Sequence, residues 1–527
     1  MNYLVEFRPF GKVVEVAVGT RLDEVAIGAG FFLRRDCGGN GTCGKCKVKI
    51  GERIFLACQA KVDSDLVVTF LDKSLEYESV VVQVNDFCND VPAMVGRDYD
   101  SFGVAVDIGT TTIVAELHAI NAKDHKFDQI LKKELPLVAS CVNPQRIYGD
   151  DVMTRIQRII EEPSFLAIFQ ALVVRAVNEL VESLVLSAGI SATDISRVVI
   201  SGNTVMEHIF LGFDPSSLGY FPFTAACSEF PECLGGDIGV NISEFGVVEA
   251  LPIFGGFVGG DLVAGVLAVG MWSDERTTFL IDIGTNGELV LFHGGEFYTT
   301  TTAAGPAFEG GRIECGMVAA AGAIDHVNIN ETEIMVSTIN ESPAKGICGS
   351  GLMDIVCEML NNSLILPNGR FNVTANSVFL DRWRIVDGHP VFVLVHEKDS
   401  GKSNEAIIIT QKDIRQIQLA TGAIRAGIKL LLQNINLTFD DISTFYVAGG
   451  FGSFTRLESA RRIGLIPSGM DIERVKICGN TSLAGARIAL FNSEIKNTTN
   501  AIRQHSNHID LATMPNFAEL FAEEMIF

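Results

Sequence analysis

The sequence predicts a multidomain protein of mixed α/β and α+β class: a small β-rich head, an acidic tether and a large α/β domain of two lobes. Three observations predict it. A strand–turn–strand unit, Gly103-Val-Ala-Val-Asp-Ile-Gly-Thr-Thr-Thr-Ile-Val-Ala-Glu-Leu117, has an echo at Phe279-Leu-Ile-Asp-Ile-Gly-Thr-Asn-Gly-Glu-Leu-Val-Leu291. From Phe102 onward strand-like and helix-like stretches alternate, the pattern of a covered sheet. Near the N-terminus, Asp36-Cys-Gly-Gly-Asn-Gly-Thr-Cys-Gly-Lys-Cys46 breaks both patterns with clustered cysteine and glycine.

Composition bounds the function. A chain of 527 residues with 47% apolar and 20% charged residues is globular and has ample core. A net charge of −23 argues against nucleic acid, whose phosphates need basic patches. The opening Met1-Asn-Tyr-Leu-Val-Glu-Phe7 lacks a basic segment and a cleavage site, so no secretory signal is read. Leu251–Gly270 is apolar enough to suggest a membrane span. Four glycines and then Asp261 argue instead for strand, glycine turn and helix. The expected compartment is cytoplasmic, with no membrane and no nucleic-acid partner.

In the head, Tyr3–Phe7 and Val13–Val18 alternate apolar and polar residues around Pro9 and Gly11, a hairpin signal. Thr20 is placed to cap a short helix running to Ala29, and Lys47–Ile50 reads as a strand. Cys37, Cys43, Cys46 and Cys58 are spaced C-x5-C-x2-C-x11-C. Four thiolates suit zinc or an iron–sulfur cluster. Zinc sites favour two C-x-x-C knuckles, and this chain has one. Four of the eight residues between Cys37 and Cys46 are glycine, which lets backbone N–H groups face cluster sulfurs. A 2Fe–2S cluster in a ferredoxin fold is the favoured reading, with zinc or a disulfide as alternatives. The other eight cysteines are dispersed and read as reduced core residues.

Ser79–Val84 suggests a last strand of the head, and Asn85–Asp100 an aperiodic, acidic linker. Both hairpins of the large domain then carry a carboxylate and small polar turn residues. The first has Asp107, Gly109, Thr110, Thr111 and Thr112; the second has Asp282, Gly284, Thr285 and Asn286. Glycine lets N–H groups approach phosphate oxygens, hydroxyls add donors, and a strand-end Asp can hold Mg²⁺ through water. Two such hairpins point to two lobes closing on one nucleotide triphosphate. Asp261 can orient the water that attacks the γ-phosphate, or cap its helix. Tyr446-Val-Ala-Gly-Gly-Phe-Gly452 is strand then glycine turn, where Gly449, Gly450 and Gly452 can lie flat against a nucleoside. Gly202-Asn-Thr204 and Gly479-Asn-Thr481 repeat one signature, read here as a shared plan of the lobes. Glu309 and Arg312 lie in a glycine-rich stretch, Cys348 in another; Phe165–Ala188 and Thr410–Leu432 read as long helices, 373–405 as a hairpin insertion and Leu511–Phe527 as a surface helix.

These hairpins, the Gly-Gly-x-Gly turn and the Gly-Asn-Thr connectors resemble the phosphate, adenosine and connect motifs of the actin, sugar kinase and heat-shock chaperone ATPases. With a ferredoxin domain in front, the chain resembles the reductive activators of corrinoid proteins. Asn143-Pro-Gln, Gly202-Asn-Thr-Val-Met206, Gly305-Pro-Ala-Phe-Glu309, Gly346-Ile-Cys-Gly-Ser-Gly351 and Asp413-Ile-Arg-Gln-Ile-Gln418 carry that resemblance over nearly the whole chain. It implies a β-grasp ferredoxin domain over 1–84, a linker over 85–101 and a two-lobed actin-like (ribonuclease H-like) ATPase domain over 102–527.

It further implies an ATP-hydrolysing iron–sulfur oxidoreductase that passes one electron to an inactive Co(II) corrinoid and restores Co(I) for methyl transfer. The expected cofactors are a 2Fe–2S cluster, ATP and Mg²⁺. The expected partners are a corrinoid protein of a methyltransferase system and an upstream low-potential electron donor, with a homodimer left open. A cluster near roughly −400 mV is too weak a donor unless ATP supplies the difference. Members of this family can carry an extra domain between linker and ATPase, and here the first hairpin follows the linker directly. The last cysteine is Cys478, so no C-terminal 4Fe–4S motif of other corrinoid activators is expected. The alternative function is an ATP-driven donor to another low-potential enzyme, a dehydratase or reductase.

Overall fold

The computed structural model describes residues 2–8, 11–29, 31, 33, 39–41, 44–71, 101–121, 137–374, 377–402, 405–449, 456–492 and 494–527. Cys37, Cys43, Gly450, Gly452, the strand expected at Ser79–Val84 and the linker expected at 85–100 lie outside the described residues.

The head is built on strands β1 (Asn2–Arg8), β2 (Lys12–Ala17), β3 (Lys47–Ile50), β4 (Arg53–Leu56) and β5 (Leu66–Phe70). They form one mixed sheet in the order β2-β1-β5-β3-β4, with β1 and β5 parallel. Alternation on β1 sends Val5 and Phe7 inward, where Phe7 stacks on Phe70 at 5.4 Å. The helix Leu22–Gly28 buries Leu22, Val25 and Ala26, the i, i+3, i+4 face, against this sheet. This is the β-grasp arrangement. The helix begins after Arg21 rather than Thr20, whose hydroxyl instead donates to the Ala17 carbonyl.

The first lobe contains β6 (Ser101–Ile108), β7 (Thr112–Asn121), β8 (Leu137–Val142), β9 (Ile195–Gly202), β10 (Cys233–Leu234) and β11 (Val247–Ala250), ordered β10-β11-β9-β6-β7-β8. The second contains β12 (Thr278–Ile283), β13 (Gly287–His293) and β14 (Glu296–Thr302). An insertion follows, with one three-stranded sheet of β15 (Ala323–Ile329), β16 (Ile334–Thr338) and β17 (Gly346–Ile347). A second sheet joins β18 (Trp383–Val386), β19 (His389–Val395) and β20 (Ile407–Thr410), so the expected hairpin has a third strand. The lobe closes with β21 (Thr444–Ala448), β22 (Val475–Gly479) and β23 (Ser506–His508), ordered β22-β21-β12-β13-β14-β23.

The two lobes share one plan. In each, an antiparallel hairpin and a third antiparallel strand continue into two parallel strands: β8-β7-β6-β9-β11 and β14-β13-β12-β21-β22. The shared plan revises one reading. Gly202-Asn-Thr204 follows β9, the counterpart of β21, whereas Gly479-Asn-Thr481 follows β22, the counterpart of β11. The two Gly-Asn-Thr signatures are therefore not equivalents. In topology, Gly479-Asn-Thr481 matches the segment after β11 that opens the helix Gly260–Ala268.

Strand β6 is buried on both faces, as its unbroken apolar run requires. Val104 and Val106 pack under the helix Phe165–Ala188, whereas Ala105 faces the other lobe. The second sheet does the same with Phe279 and Ile281 against the helix Gln411–Asn434 and Leu280 facing the first lobe. Between the sheets lie the helices Gly260–Ala268 and Thr481–Phe491, which share one core with Val199, Val290 and Tyr446. They touch backbone to backbone: a Cβ at Gly485 would lie 2.2 Å from the Ala264 carbonyl oxygen. The C-terminal helix Phe517–Glu524 lies on Gln411–Asn434, with Glu524 paired to Arg425 and Lys429. Among the described residues, no helix is long and apolar enough to cross a membrane.

Candidate nucleotide and cluster sites

The β6–β7 and β12–β13 turns face one cleft of about 150 Å³. Its lining includes Asp107, Gly109, Thr110, Thr111 and Thr112 from the first lobe, and Asp282, Gly284, Thr285, Asn286 and Gly449 from the second. Asp261 also reaches it. Each turn is closed by its glycine, with the second turn one residue shorter: Gly109 N–H donates to the Thr112 carbonyl and Gly284 N–H to the Asn286 carbonyl, both at 2.9 Å. A Cβ at Gly109 would come within 2.8 Å of the Thr112 carbonyl oxygen, so that position needs glycine.

The first turn is gripped from behind. Asn143 Nδ2 donates to the Gly109 carbonyl at 2.8 Å, and Arg155 Nη2 to the Thr110 carbonyl at 2.5 Å. In a trans peptide C=O and N–H point apart, so the N–H groups of Thr110 and Thr111 face the cleft. Arg155 is fully buried and also bonds the Gln145 amide oxygen. Burial pulls its pKa down to about 9, partly opposed by Asp150, so it stays charged at neutral pH. Its signal was present in the sequence: Val152, Arg155, Ile156 and Ile159 form one buried helix face, and Arg155 is its one charged member.

The cleft holds six carboxyl groups. Asp107, Asp261, Asp282, Glu288 and Glu309 line it, with Glu207 behind Asp261, and no Lys, Arg or His stands among the lining residues. Asp107 and Asp282 occupy matching register positions, opposite Ser201 on β9 and Ala448 on β21. Asn480 and Ser482 each donate to Asp107 at 2.7 Å, which joins the lobes. Asp261 lies in the first turn of its helix. Gly259 is the cap, and Asp261 Oδ1 accepts from Leu262 N–H at 2.8 Å. Behind it, Glu207 accepts from Gly260 N–H at 3.2 Å.

Burial is the largest cause that raises the pKa of Asp107, Glu207, Asp282 and Glu288, and it lifts Asp261 to about 7. Their mutual repulsion adds to it. Convergent carboxylate oxygens with no cation among the described lining residues suit a hard cation such as Mg²⁺. The folded protein thus keeps protons that the unfolded chain releases near pH 4. Stability falls as pH rises from about 4 through about 7. Mg²⁺ replaces those protons, so it will raise Tm more at about pH 8 than at about pH 6. Thermal melts at both values test this, and equal shifts would refute a repulsive carboxylate site.

Two further residues line the cleft. Asn203 does so and also caps the helix Thr204–Leu211 by accepting from Val205 N–H. Cys348 caps the helix Gly349–Asn361 and its thiol donates to the Ile324 carbonyl at 3.2 Å. At Gly449, φ is +128° and a Cβ would lie 2.3 Å from the Ile283 carbonyl oxygen.

In the head, Cys46 and Cys58 are buried at 1% and 2% exposure, and Ala57 N–H donates to the Cys46 carbonyl. Gln59 Nε2 donates to Cys58 Sγ at 3.7 Å. Gly39, Gly41 and Gly44 all have positive φ, and Arg21 holds the Gly39 carbonyl at 3.1 Å. A glycine loop wrapped in this way and an N–H donor on a buried sulfur fit a thiolate-held cluster.

Fold and site together define the class: a 2Fe–2S ferredoxin domain joined to a two-lobed, actin-like ATPase domain. The comparisons narrow it. The 2Fe–2S iron–sulfur cluster binding domain family matches residues 5–65, the RACo middle region 102–274, and the C-terminal domain of RACo, the ASKHA domain, 276–527. The corrinoid activation enzyme RamQ of Eubacterium limosum is 31% identical over 451 residues, covering 85% of this chain and 74% of that protein. A [Co(II) methylated amine-specific corrinoid protein] reductase of Methanosarcina barkeri is 23% identical over 471 residues, covering 81% and 77%. The solved structure of a reductive activator for corrinoid, iron-sulfur protein superposes with a TM-score of 0.75 at 28% identity, over 100% of this chain and 98% of that one. The chain belongs to the RACo family of ATP-dependent corrinoid-activating oxidoreductases.

Proposed function

We propose that this protein reactivates a corrinoid protein of a methyltransferase system, using MgATP to pass one electron to Co(II) and restore Co(I). The observation that carries the reading is the union, in one chain, of a cysteine-lined ferredoxin head and a carboxylate-lined cleft between two matched lobes. The end-to-end likeness to a reductive activator supports it. The domains are assigned as 1–84 for the head, 85–101 for the linker and 102–527 for the ATPase. An upstream low-potential protein reduces the head, and a homodimer is the assembly to test.

The roles rest on the sequence motifs and, for the described residues, on position. Cys37, Cys43, Cys46 and Cys58 hold a 2Fe–2S cluster, which when bound supplies single electrons at low potential. Thr110, Thr111 and Thr112, with Gly109, grip phosphate oxygens from the first lobe; Gly284, Thr285 and Asn286 do so from the second. Asp107 and Asp282 hold Mg²⁺ through water. Gly449, Gly450 and Gly452 frame the nucleoside. Asp261 positions the water that attacks the γ-phosphate and takes its proton. A carboxyl with a pKa of about 7 is suited to that exchange. Arg155 and Asn143 keep the first turn's N–H groups aimed at the ligand.

The test is anaerobic. The protein is reduced with dithionite, a corrinoid protein trapped as Co(II) is added, and the visible spectrum is followed with and without MgATP. The Co(I) band will grow only with MgATP. If ATP is hydrolysed and cobalt stays Co(II) across several corrinoid partners, the corrinoid assignment fails and another electron acceptor replaces it.

A further inference from the structure

One carboxylate holds the two lobes together at the point where phosphate is expected. Thr111 of the first lobe and Thr285 of the second both donate their hydroxyls to Glu309 Oε2, Thr285 at 2.6 Å. A single oxygen that accepts from one turn of each lobe stands in for a phosphate oxygen. Both anions cannot keep those donors, because like charges at contact distance repel. Nucleotide entry therefore requires Glu309 to leave.

Glu309 begins a loop that reaches the cluster head. The loop is folded on itself: a Cβ at Gly310 would lie 2.3 Å from the Met317 carbonyl oxygen, and one at Gly316 2.1 Å from that of Gly310. Backbone in contact with backbone makes the segment compact, and Ile313 and Cys315 within it are buried in the core of the second lobe. Met317 returns to line the cleft. At the loop's outer end, the carbonyls of Ile313 and Glu314 accept from Lys45 Nζ at 2.9 and 3.3 Å. Lys45 directly precedes the cluster ligand Cys46. Glu314 N–H is tied to Asp413 Oδ1 at 2.8 Å and Met317 N–H to the Ile347 carbonyl at 2.9 Å, which anchors the loop to the second lobe. Arg312 reaches back to Asp151 of the first lobe at 3.4 Å.

We propose that Glu309 is a nucleotide-displaced latch, and that its loop couples occupancy of the cleft to the seat of the cluster head through Lys45. Glu309 is a positioning residue: it holds the phosphate-binding hydroxyls of both lobes in the empty state and yields them to the ligand. The proposal rests on the nucleotide reading of the cleft. By linkage, a ligand that displaces the latch loosens the Lys45 contact, and loss of that contact favours the ligand by the same factor.

The test uses the full-length protein with its cluster, under anaerobic conditions, and the non-hydrolysable analogue AMPPNP with Mg²⁺. Glu309→Ala will bind it roughly 3- to 30-fold more tightly than wild type, and Glu309→Gln by a smaller factor, because a neutral acceptor holds the hydroxyls less strongly. In wild type, AMPPNP will speed amide hydrogen exchange both at 310–317 and at 44–48. In Lys45→Ala the analogue still binds, and its effect on 44–48 disappears. Equal or weaker binding by both Glu309 variants overturns the latch, as does an unchanged effect on 44–48 in Lys45→Ala, and both results leave the nucleotide reading standing. Failure of wild type to bind AMPPNP at all removes the nucleotide reading and the latch with it.

Discussion

Asp261→Asn will lower ATP turnover by about 10²–10³-fold and will raise the Tm of the nucleotide-free protein by roughly 2–4 °C at neutral to alkaline pH. The two effects have one cause. Asp261 is buried at the start of its helix, and its charge raises the pKa of Glu207, Asp282 and Glu288. Without Mg²⁺ and nucleotide, that repulsion destabilises the folded state. The amide keeps the shape and the bond from Leu262 N–H, and removes the charge. It also removes the oxygen that takes a proton from the attacking water. Phosphate contacts made by the two turns remain, so MgATP affinity will change by less than about threefold, uniform binding being separate from turnover. Single-turnover hydrolysis and thermal melts check both. Full ATPase activity in this variant would end the role given to Asp261, and a lower Tm would mean that the carboxylates are not held against their repulsion.

The parts of this site that the sequence made legible are the local ones. An Asp-x-Gly-Thr turn between apolar runs specifies strand, turn and strand by itself, so both hairpins could be placed; the parallel pairing with β9 and β21 puts Asp107 and Asp282 at matching sites. The C-x-x-C pair, the late Cys58 and the glycines between Cys37 and Cys46 together favour a cluster over zinc, which spacing alone leaves open. What could not be read depends on strand order. Gly202-Asn-Thr204 and Gly479-Asn-Thr481 look alike because each ends a strand and caps a helix, yet they follow strands of different rank in their sheets. Glu207 is invisible as a neighbour of Asp261 until β9 and the helix Gly260–Ala268 pack; a Cβ at Gly260 would lie 2.2 Å from Glu207 Oε1. Glu309 was noticed for its glycine-rich surroundings. Its bridging place between two threonines of different lobes is a property of the closed cleft and of no local pattern.

Cys58→Ala will abolish reduction of the corrinoid while leaving MgATP binding intact. Cys58 follows β4 and is buried beside Cys46, in the core that the head builds from β1, β3, β5 and the helix Leu22–Gly28. The alanine fills most of the same apolar space, so the change falls on the sulfur: one of the four proposed cluster thiolates is gone, and the amide of Gln59 keeps only the Gly39 carbonyl of its two acceptors. Iron content and the visible absorption of the purified protein will drop together. The cleft is formed by β6, β7, β12, β13, the helices between the sheets and the segments around Glu309, Met317 and Cys348, none of which belongs to the head. Spectra, bound iron, AMPPNP affinity and Co(II) reduction measured on one preparation separate the outcomes. Corrinoid reduction that persists without the cluster would break the electron path through the head. A colourless wild-type protein with bound zinc would return the head to the zinc alternative and leave the ATPase domain without an electron to deliver. Loss of nucleotide binding along with the cluster would show that the head shapes the cleft, and the contact of Lys45 with the Ile313 and Glu314 carbonyls is the route by which it would do so.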